Sequence, residues 1–174
     1  MRIAQVATLS APVRHDSPGS VESLVWLLTR ELQRLGHDVT VFASGDSDPG
    51  CTLDAILPAP YGSPGSLDDW HLCEWLNLAN AVRKSGDFDA IHTHAYLWGL
   101  PLEPFSKSPM VHTMHIVPDD NAARLWSMHP NAYVTAISQH QWSAFPDLRP
   151  AAIIPHGLDV ADFPFCPKPA TSRP

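Results

Sequence analysis

The sequence has 174 residues, a formal net charge of −7 at pH 7 and 44% hydrophobic residues. This length suits one domain that buries most of its apolar surface, and the acidic balance argues against binding to nucleic acid or to anionic lipid. Three scattered cysteines without a C-x-x-C pair indicate neither a disulfide framework nor a zinc knuckle. No apolar run approaches the roughly 20 residues of a membrane span, and we expect a cytoplasmic protein.

The first predicted unit is a strand, a loop, a long helix and a second strand. Residues 3–7 and 38–43 read as parallel neighbours in one sheet. Between them a helix ending at Gly36 is predicted by one apolar stripe at three- and four-residue spacing, formed by Val21, Leu24, Val25, Leu28, Leu32 and Leu35. Gly19 stands at the start of this helix, where free amides favour a phosphate. A loop glycine needed only for a positive φ is the alternative.

Strands and helices alternate along the rest of the chain. A third strand is predicted around residues 54–57, a helix at about 67–84, and four short strands at 89–94, 110–115, 132–138 and 151–156. This alternation predicts an α/β fold, a Rossmann-like parallel sheet of about seven strands with helices on both faces and ligands at the carboxyl ends of the strands. We expect the domain to span residues 1–163 and the proline-rich residues 164–174 to form a linker or tail.

Four histidines lie on two of these strands. His94 and His115 end their strands, so we expect both imidazoles to face the ligand-binding rim, in one cleft, where they would bond a sugar hydroxyl or accept a proton. His92 and His112 lie within the strands and are interpreted as buried structural residues. A metal site is the rival interpretation, but the H-T-H and H-T-M-H spacings lack an accompanying H-E-x-x-H or Cys-His set.

Other polar groups also follow predicted strands. Ser138 either caps the next helical turn or contacts a ligand. His156 and Gly157 come directly after the last strand, where a glycine permits close backbone approach. Tyr96 and Trp98 either pack between helices or line an acceptor pocket.

Six segments, in this order, together resemble the N-terminal half of a family 4 glycosyltransferase with the two-domain GT-B architecture. They are Pro18–Glu22, Leu35–Ala43, Phe88–His94, Val111–His115, Val134–Ser138 and Ile154–Asp159. The segment Val41–Ser47 further resembles a bacterial subgroup that includes enzymes annotated for glucosylating a pterin.

The resemblance implies an acceptor-binding domain of a retaining transferase that uses a nucleoside diphosphate sugar and needs no metal or other cofactor. It implies that the amides of Gly19 and Ser20 face the donor diphosphate, although the family often has a second glycine at position 20. It implies a catalytic His115 near the transferred sugar. It implies an acceptor contact for His94 and a place at the cleft floor for Ser138 and Gly157. From their positions along the chain we add Tyr96 and Trp98 as candidate acceptor contacts and His156 as a candidate cleft-floor residue.

The resemblance also implies a missing half, because family members continue into a second domain that binds the nucleotide sugar. We therefore expect a truncated or split enzyme that is inactive alone. The expected partners are a donor-binding domain in the same or another chain, a small-molecule or glycan acceptor and, as one arrangement, a second copy of the chain itself. One alternative is a noncatalytic binding or regulatory module derived from a transferase. Another is a nucleotide-binding oxidoreductase domain, against which the absence of G-x-G-x-x-G counts, although Asp46 lies near the position of a ribose-binding acid.

Overall fold

A computed structural model describes residues 1–160 and shows one sheet of seven parallel strands. The strands are β1 (Arg2–Val6), β2 (Asp38–Phe42), β3 (Thr52–Asp54), β4 (Ala90–Thr93), β5 (Met110–Met114), β6 (Tyr133–Ala136) and β7 (Ala152–Ile153). Their spatial order is β3-β2-β1-β4-β5-β6-β7, with all pairs parallel. The predicted Rossmann-like fold is confirmed. The strand order reverses at the β1–β4 neighbours, which is where open sheets of this kind bind ligands.

Three helices cover the two faces of the sheet: α1 (Ser20–Arg34), α2 (Trp70–Arg83) and α3 (Asp120–Ser127). Val25 of α1 packs with Val39 and Val41 of β2 on one face. On the other face Leu78 of α2 packs with Phe42 and Ile91, and Trp126 of α3 packs with Met114 and Val134. Burial of these side chains holds the helices to the sheet, at roughly 25 cal/mol per Å² of apolar surface removed from water.

The predicted bounds of the third strand are wrong, and the packing of α1 shows which side of that helix meets the sheet. The third strand runs over Thr52–Asp54 rather than 54–57, because the Asp54 carboxylate at its end is held by Asn80 and Lys84 of the α2 end. The side of α1 turned to the sheet carries the buried residues Glu22, Val25 and Thr29, whereas Leu35 is 64% exposed. The apolar stripe of α1 therefore faces the sheet only in part. Its residues Leu24 and Leu28 line an open cavity.

The segment between β4 and β5 passes unusually close to the sheet. Tyr96 has a φ of 52°, in the left-handed region that costs a non-glycine residue of order 1–3 kcal/mol. A Cβ on Gly99 would stand 2.8 Å from Cε1 of the fully buried His112, so only glycine fits there. The following 3-10 helix, Leu100–Phe105, supplies Glu103, whose carboxylate lies 3.1 Å from Nε2 of His112. These contacts fix the loop that carries Tyr96 and Trp98.

Two sequence predictions concern residues beyond this description. The domain boundary at residue 163 and the proline-rich linker or tail at 164–174 both lie outside the described residues. Within residues 1–160, none of the helices has the length and apolar character needed to cross a membrane.

Candidate functional site

A hydrogen-bonded chain of side chains runs along the carboxyl ends of β1, β4, β5 and β7. Gln5 Oε1 lies 2.8 Å from Nε2 of His94, whose Nδ1 lies 3.0 Å from Nε2 of His115. The Nδ1 atom of His115 lies 3.1 Å from Nε2 of His156. Parallel strands end at the same edge, so residues distant in sequence become neighbours there. The sequence prediction that His94 and His115 lie close together agrees with this geometry.

The amide oxygen of Gln5 sets the direction of this chain. Because that oxygen only accepts, Nε2–H of His94 donates to it and leaves Nδ1 of neutral His94 as an acceptor for Nε2–H of His115. By the same reasoning Nε2–H of His156 donates to Nδ1 of His115. Both ring nitrogens of His115 are therefore engaged within the chain, and the exposed His156 forms the end nearest solvent.

All three imidazoles of this chain are disfavoured as cations. Burial lowers the pKa of His94 well below its ordinary value and that of His115 to about 4, and the neighbouring imidazoles lower both further. Burial also lowers the pKa of His156. The chain is thus neutral at pH 7, and it is suited to hydrogen bonding and directed proton movement rather than to fixed positive charge.

The structure places the His94 imidazole at this edge of the sheet but leaves neither of its ring nitrogens free for the sugar hydroxyl or proton expected from the sequence. Only 2% of His94 is exposed, and both its ring nitrogens are bonded to Gln5 and His115. Its side chain follows the alternation of β4 onto the α1 face of the sheet, next to His92, with ring centroids 4.2 Å apart. His92 bonds Oγ1 of Thr113 at 2.6 Å, and the buried His112 bonds Glu103 on the opposite face. These last two contacts fit the interpretation of His92 and His112 as structural residues.

Gly19 and Ser20 lie at the start of α1 with different surroundings. Gly19 is the N-cap with an extended φ of −86°, so the alternative of a positive-φ loop glycine is wrong. Gly19 has no side chain to cap this end, and its own amide donates to Ser17 Oγ at 3.2 Å. Ser20 is exposed and Gly19 is half-buried. A Cβ on Gly19 would stand 2.0 Å from Oε2 of Glu22, which explains why the position excludes a side chain. An anion approaching these amides meets the dipole of α1 and also the nearby carboxylate.

Glu22 and Glu74 are two buried carboxylates that hold the loop after β1 from opposite faces of the sheet. Oε1 of Glu22 accepts hydrogen bonds from Thr8 Oγ1 at 2.5 Å, Ser10 Oγ at 2.6 Å and the Ala11 amide at 3.3 Å. Oε1 of Glu74 accepts the Leu9 amide at 2.8 Å. Burial raises the pKa of Glu74 to about 7, and the charge of Glu22 contributes to the rise. The loop at the switch point is therefore held in place by charge-assisted bonds.

Two groups of predicted site residues line separate cavities. Ser20 and His156 share a cavity of about 520 Å³ beside α1, and His94, His156 and Gly157 share one of about 280 Å³ beneath it. Tyr96 and Trp98 line two other cavities, one of about 290 Å³ against α3 and one of about 180 Å³ against α2. The structure thus unites Ser20, His94, His115 and His156 on the α1 side, while the two aromatic residues lie toward α2 and α3.

Ser138 and Gly157 lie outside the hydrogen-bonded chain of histidines, and Ser138 caps a helical turn, as one of its two sequence interpretations had it. Ser138 is the half-buried N-cap of a 3-10 helix at Gln139–Trp142, and its amide donates to Oε1 of Gln141 at 3.3 Å. It is not among the lining residues of the cavities near His156 in the described part of the chain. A Cβ on Gly157 would meet no atom within 4 Å, so the expected close backbone approach at this glycine is wrong for these residues.

Sequence reasoning missed Gln5, Glu22 and Glu74. Each is at most 4% exposed. A polar residue within an otherwise apolar strand or on the buried side of a helix is the signal that would have identified them, because a buried polar group needs a partner. Within residues 1–160, no group of three or more histidine, cysteine or acidic residues is arranged to hold a metal ion.

Structures of two solved proteins share this fold. AviGT4, a glycosyltransferase involved in avilamycin A biosynthesis, aligns with a TM-score of 0.59 and 22% identity over 94% of this chain and 44% of its own. Acinetobacter baumannii MurG aligns with a TM-score of 0.54 and 16% identity over 91% of this chain and 46% of its own. At these identities the likeness establishes the fold alone.

Curated relatives carry the sequence comparison further. The D-inositol 3-phosphate glycosyltransferase of Kribbella flavida is 30% identical over 66% of this chain and 31% of its own length. The enzyme of the same name from Xylanimonas cellulosilytica is 27% identical over 99% of this chain and 51% of its own length. The chain therefore spans about a third to a half of the length of these relatives. The sequence model described as Glycosyltransferase Family 4 matches residues 21–162, and the chain belongs to that family.

Proposed function

We propose that this chain is the acceptor-binding half of a retaining glycosyltransferase that uses a nucleoside diphosphate sugar and is completed by a donor-binding domain in the same or another chain. The observation that carries the proposal is the chain of neutral side chains from Gln5 through His94 and His115 to His156 at the switch point of the sheet. Membership of family 4 and the partial coverage of its relatives support it.

His115 is proposed to act at the transferred sugar, with His156 as the flexible end of the hydrogen-bonded chain. Because both ring nitrogens of His115 are engaged, a sugar hydroxyl reaches the imidazole by replacing the bond from the exposed His156. The bond to buried His94 then keeps the imidazole oriented. A positioned neutral imidazole hydrogen-bonds the sugar without adding charge to the cleft.

The Gly19 and Ser20 amides are proposed to face the donor diphosphate. Ser20 lines the same cavity as His156, so a diphosphate at the start of α1 would lie beside the end of the histidine chain. The helix dipole favours the anion, while the nearby Glu22 carboxylate opposes it. The remaining charge neutralisation is assigned to the donor-binding domain. Ser138 and Gly157 are carried forward as cleft-floor residues, and Tyr96 and Trp98 as acceptor contacts.

The likeness of Val41–Ser47 to the pterin-glucosylating subgroup makes a pterin one acceptor to be tested. The alternative function is a noncatalytic module that keeps the acceptor pocket and transfers nothing. The two are separated by turnover, because a noncatalytic module gains no transferase activity when a donor-binding domain is supplied.

The test joins the 174-residue chain to the donor-binding domain of the Xylanimonas cellulosilytica relative and measures release of nucleoside diphosphate from several nucleotide sugars, with acceptors that include a pterin. We expect background release from the chain alone and acceptor-dependent release from the fusion. Turnover by the chain alone, or a folded fusion without turnover, would contradict the proposal.

His115→Ala in the fusion should lower kcat by about a hundredfold, in the range of a lost positioned acid-base group. The matched control is His112→Ala, which removes a fully buried histidine of the same strand from the opposite face of the sheet. We expect that control to lower stability while kcat per folded molecule is kept. Equal losses of kcat in both variants would assign His115 a purely structural part.

A further inference from the structure

One cavity on the α2 side of the sheet combines a buried carboxyl group with aromatic side chains. It has a volume of about 180 Å³ and is lined by Glu74 together with Tyr61, Trp70, Tyr96 and Trp98, as well as the hydroxyl residues Thr8 and Ser10. We call it the Glu74 cavity. It includes Tyr96 and Trp98, the two aromatic residues that the sequence analysis offered as lining an acceptor pocket, so it is the place where acceptor recognition is sought.

The Glu74 carboxyl group is only half satisfied. Its Oε1 accepts the Leu9 amide at 2.8 Å, while its Oε2 is buried and, within residues 1–160, has no hydrogen-bond partner. Glu74 is 4% exposed, so solvent does little to compensate this oxygen. A buried polar atom without a partner destabilises the fold, and more so when the group is charged. A group that donates a hydrogen bond to Oε2 would recover that free energy on binding.

The surrounding rings favour a cation as that group. Trp70 and Trp98 meet edge to face with centroids 6.0 Å apart, and Tyr96 and Trp98 do so at 6.4 Å. Aromatic faces attract ammonium groups, most strongly in partly desolvated sites. None of the lining residues of the Glu74 cavity in the described part of the chain is Lys or Arg. His71 stacks on Trp70 with ring centroids 3.6 Å apart, outside that lining.

We infer that the Glu74 cavity binds the protonated amino group of a hydroxylated amine, such as an amino sugar or amino polyol, with the ammonium donating to Oε2 of Glu74 and lying against Trp70 and Trp98. The inference rests on the proposed function in one respect only, because it takes the molecule that carries this amino group to be the acceptor of the transferred sugar. The amine anchors the acceptor, and a hydroxyl elsewhere on the acceptor receives the sugar.

The experiment titrates the 174-residue chain with 1-amino-1-deoxysorbitol and with sorbitol, which differ only by the amino group. Binding is followed at pH 7.5 in phosphate buffer through the indole N–H resonances of the six tryptophans, assigned with Trp70→Phe and Trp98→Phe variants. We expect the Trp70 and Trp98 signals to move while that of Trp126, which is 3% exposed on the buried side of α3, stays in place. We expect a Kd about tenfold or more lower for the amine than for sorbitol, the size of one charge-assisted bond.

Glu74→Gln should abolish the preference for the amine, because the amide keeps the shape of the side chain and removes the charge. Glu31→Gln is the matched control, since Glu31 is an exposed glutamate of α1 bonded to Arg34 and the substitution removes the same charge elsewhere. Equal Kd values for the amine and sorbitol, no movement of the Trp70 and Trp98 signals, or tighter binding of a neutral pterin would each overturn the inference.

This binding measurement needs no sugar transfer. Loss of the amine preference therefore leaves the transferase proposal standing, whereas amine binding by a fusion without turnover contradicts the proposed function alone.

Discussion

Glu74→Gln is expected to stabilise the fold in a pH-dependent way. The pKa of Glu74 is raised from 4.5 to about 7 because the carboxylate is buried on the inner side of α2. A carboxyl group whose folded pKa is raised binds its proton more tightly in the folded state. Stability is therefore lost as pH rises from the unfolded pKa of about 4.5 to the folded pKa of about 7, and the loss is constant above that.

The size of this effect follows from the shift. About 2.5 pKa units at 1.36 kcal/mol each correspond to about 3 kcal/mol of folding free energy missing at pH 8. Gln carries no titratable charge, its oxygen can keep the bond from the Leu9 amide, and its amide group replaces the unpartnered oxygen. The measured quantity is the free energy of unfolding of Glu74→Gln minus that of the unsubstituted chain. This difference should be about 3 kcal/mol larger at pH 8 than at pH 4.5.

Urea unfolding of both proteins at half-unit steps between pH 4.5 and 8 measures this difference. Phosphate and acetate buffers are used, since an amine buffer would occupy the Glu74 cavity under the inference above. The histidines titrate in both proteins, so their contribution cancels in the difference. Glu31→Gln serves as the control, because it removes the same charge from a side chain that is 44% exposed. A difference between Glu74→Gln and the unsubstituted chain that does not change with pH would refute the reasoning.

Three further outcomes are expected. In the Glu74→Gln protein, the free energy of unfolding should fall by roughly 2 kcal/mol for each of His92 and His115 as the pH is lowered from 6.5 to 5. Burial lowers the pKa of both histidines to about 4 in the folded state, so the unfolded chain takes up protons first. A free energy of unfolding that stays constant in this range would contradict the burial argument. Gly19→Ala should destabilise the chain by about 1–3 kcal/mol, since its Cβ meets the Glu22 carboxylate at 2.0 Å, and an unchanged urea midpoint would show that Glu22 moves aside freely. Gly99→Ala should lower the free energy of unfolding by a similar amount, because the added Cβ would meet the fully buried His112. Gly36→Ala is the comparison variant, since Gly36 has a φ of 84° and no atom near its Cβ position, so the substitution tests backbone strain alone.

The sequence by itself determined the fold class, because the relevant signals are local. Apolar strands alternating with amphipathic helices specify parallel pairing, and Gly36 after Leu35 specifies where α1 ends. The placement of His94 and His115 near each other also follows from sequence, since the ends of parallel strands meet at one edge of the sheet. The predicted start and end of β3 were off by two and three residues, where side chains from the end of α2 fix the end of the strand, which is a nonlocal contact.

Only the tertiary structure decided how far each polar group is exposed and what it bonds. Gln5 lies on the neighbouring strand, 89 residues away from His94 in the sequence. Its side chain is hydrogen-bonded to a ring nitrogen of His94 that the sequence analysis expected to bond a sugar hydroxyl. The buried carboxyl groups of Glu22 and Glu74 accept hydrogen bonds from the loop after β1, and the sequences of α1 and α2 do not predict these contacts. Burial and hydrogen-bond partners are set by residues distant in the chain, and the free energies of buried charges depend on those partners, so periodicity and spacing cannot supply them.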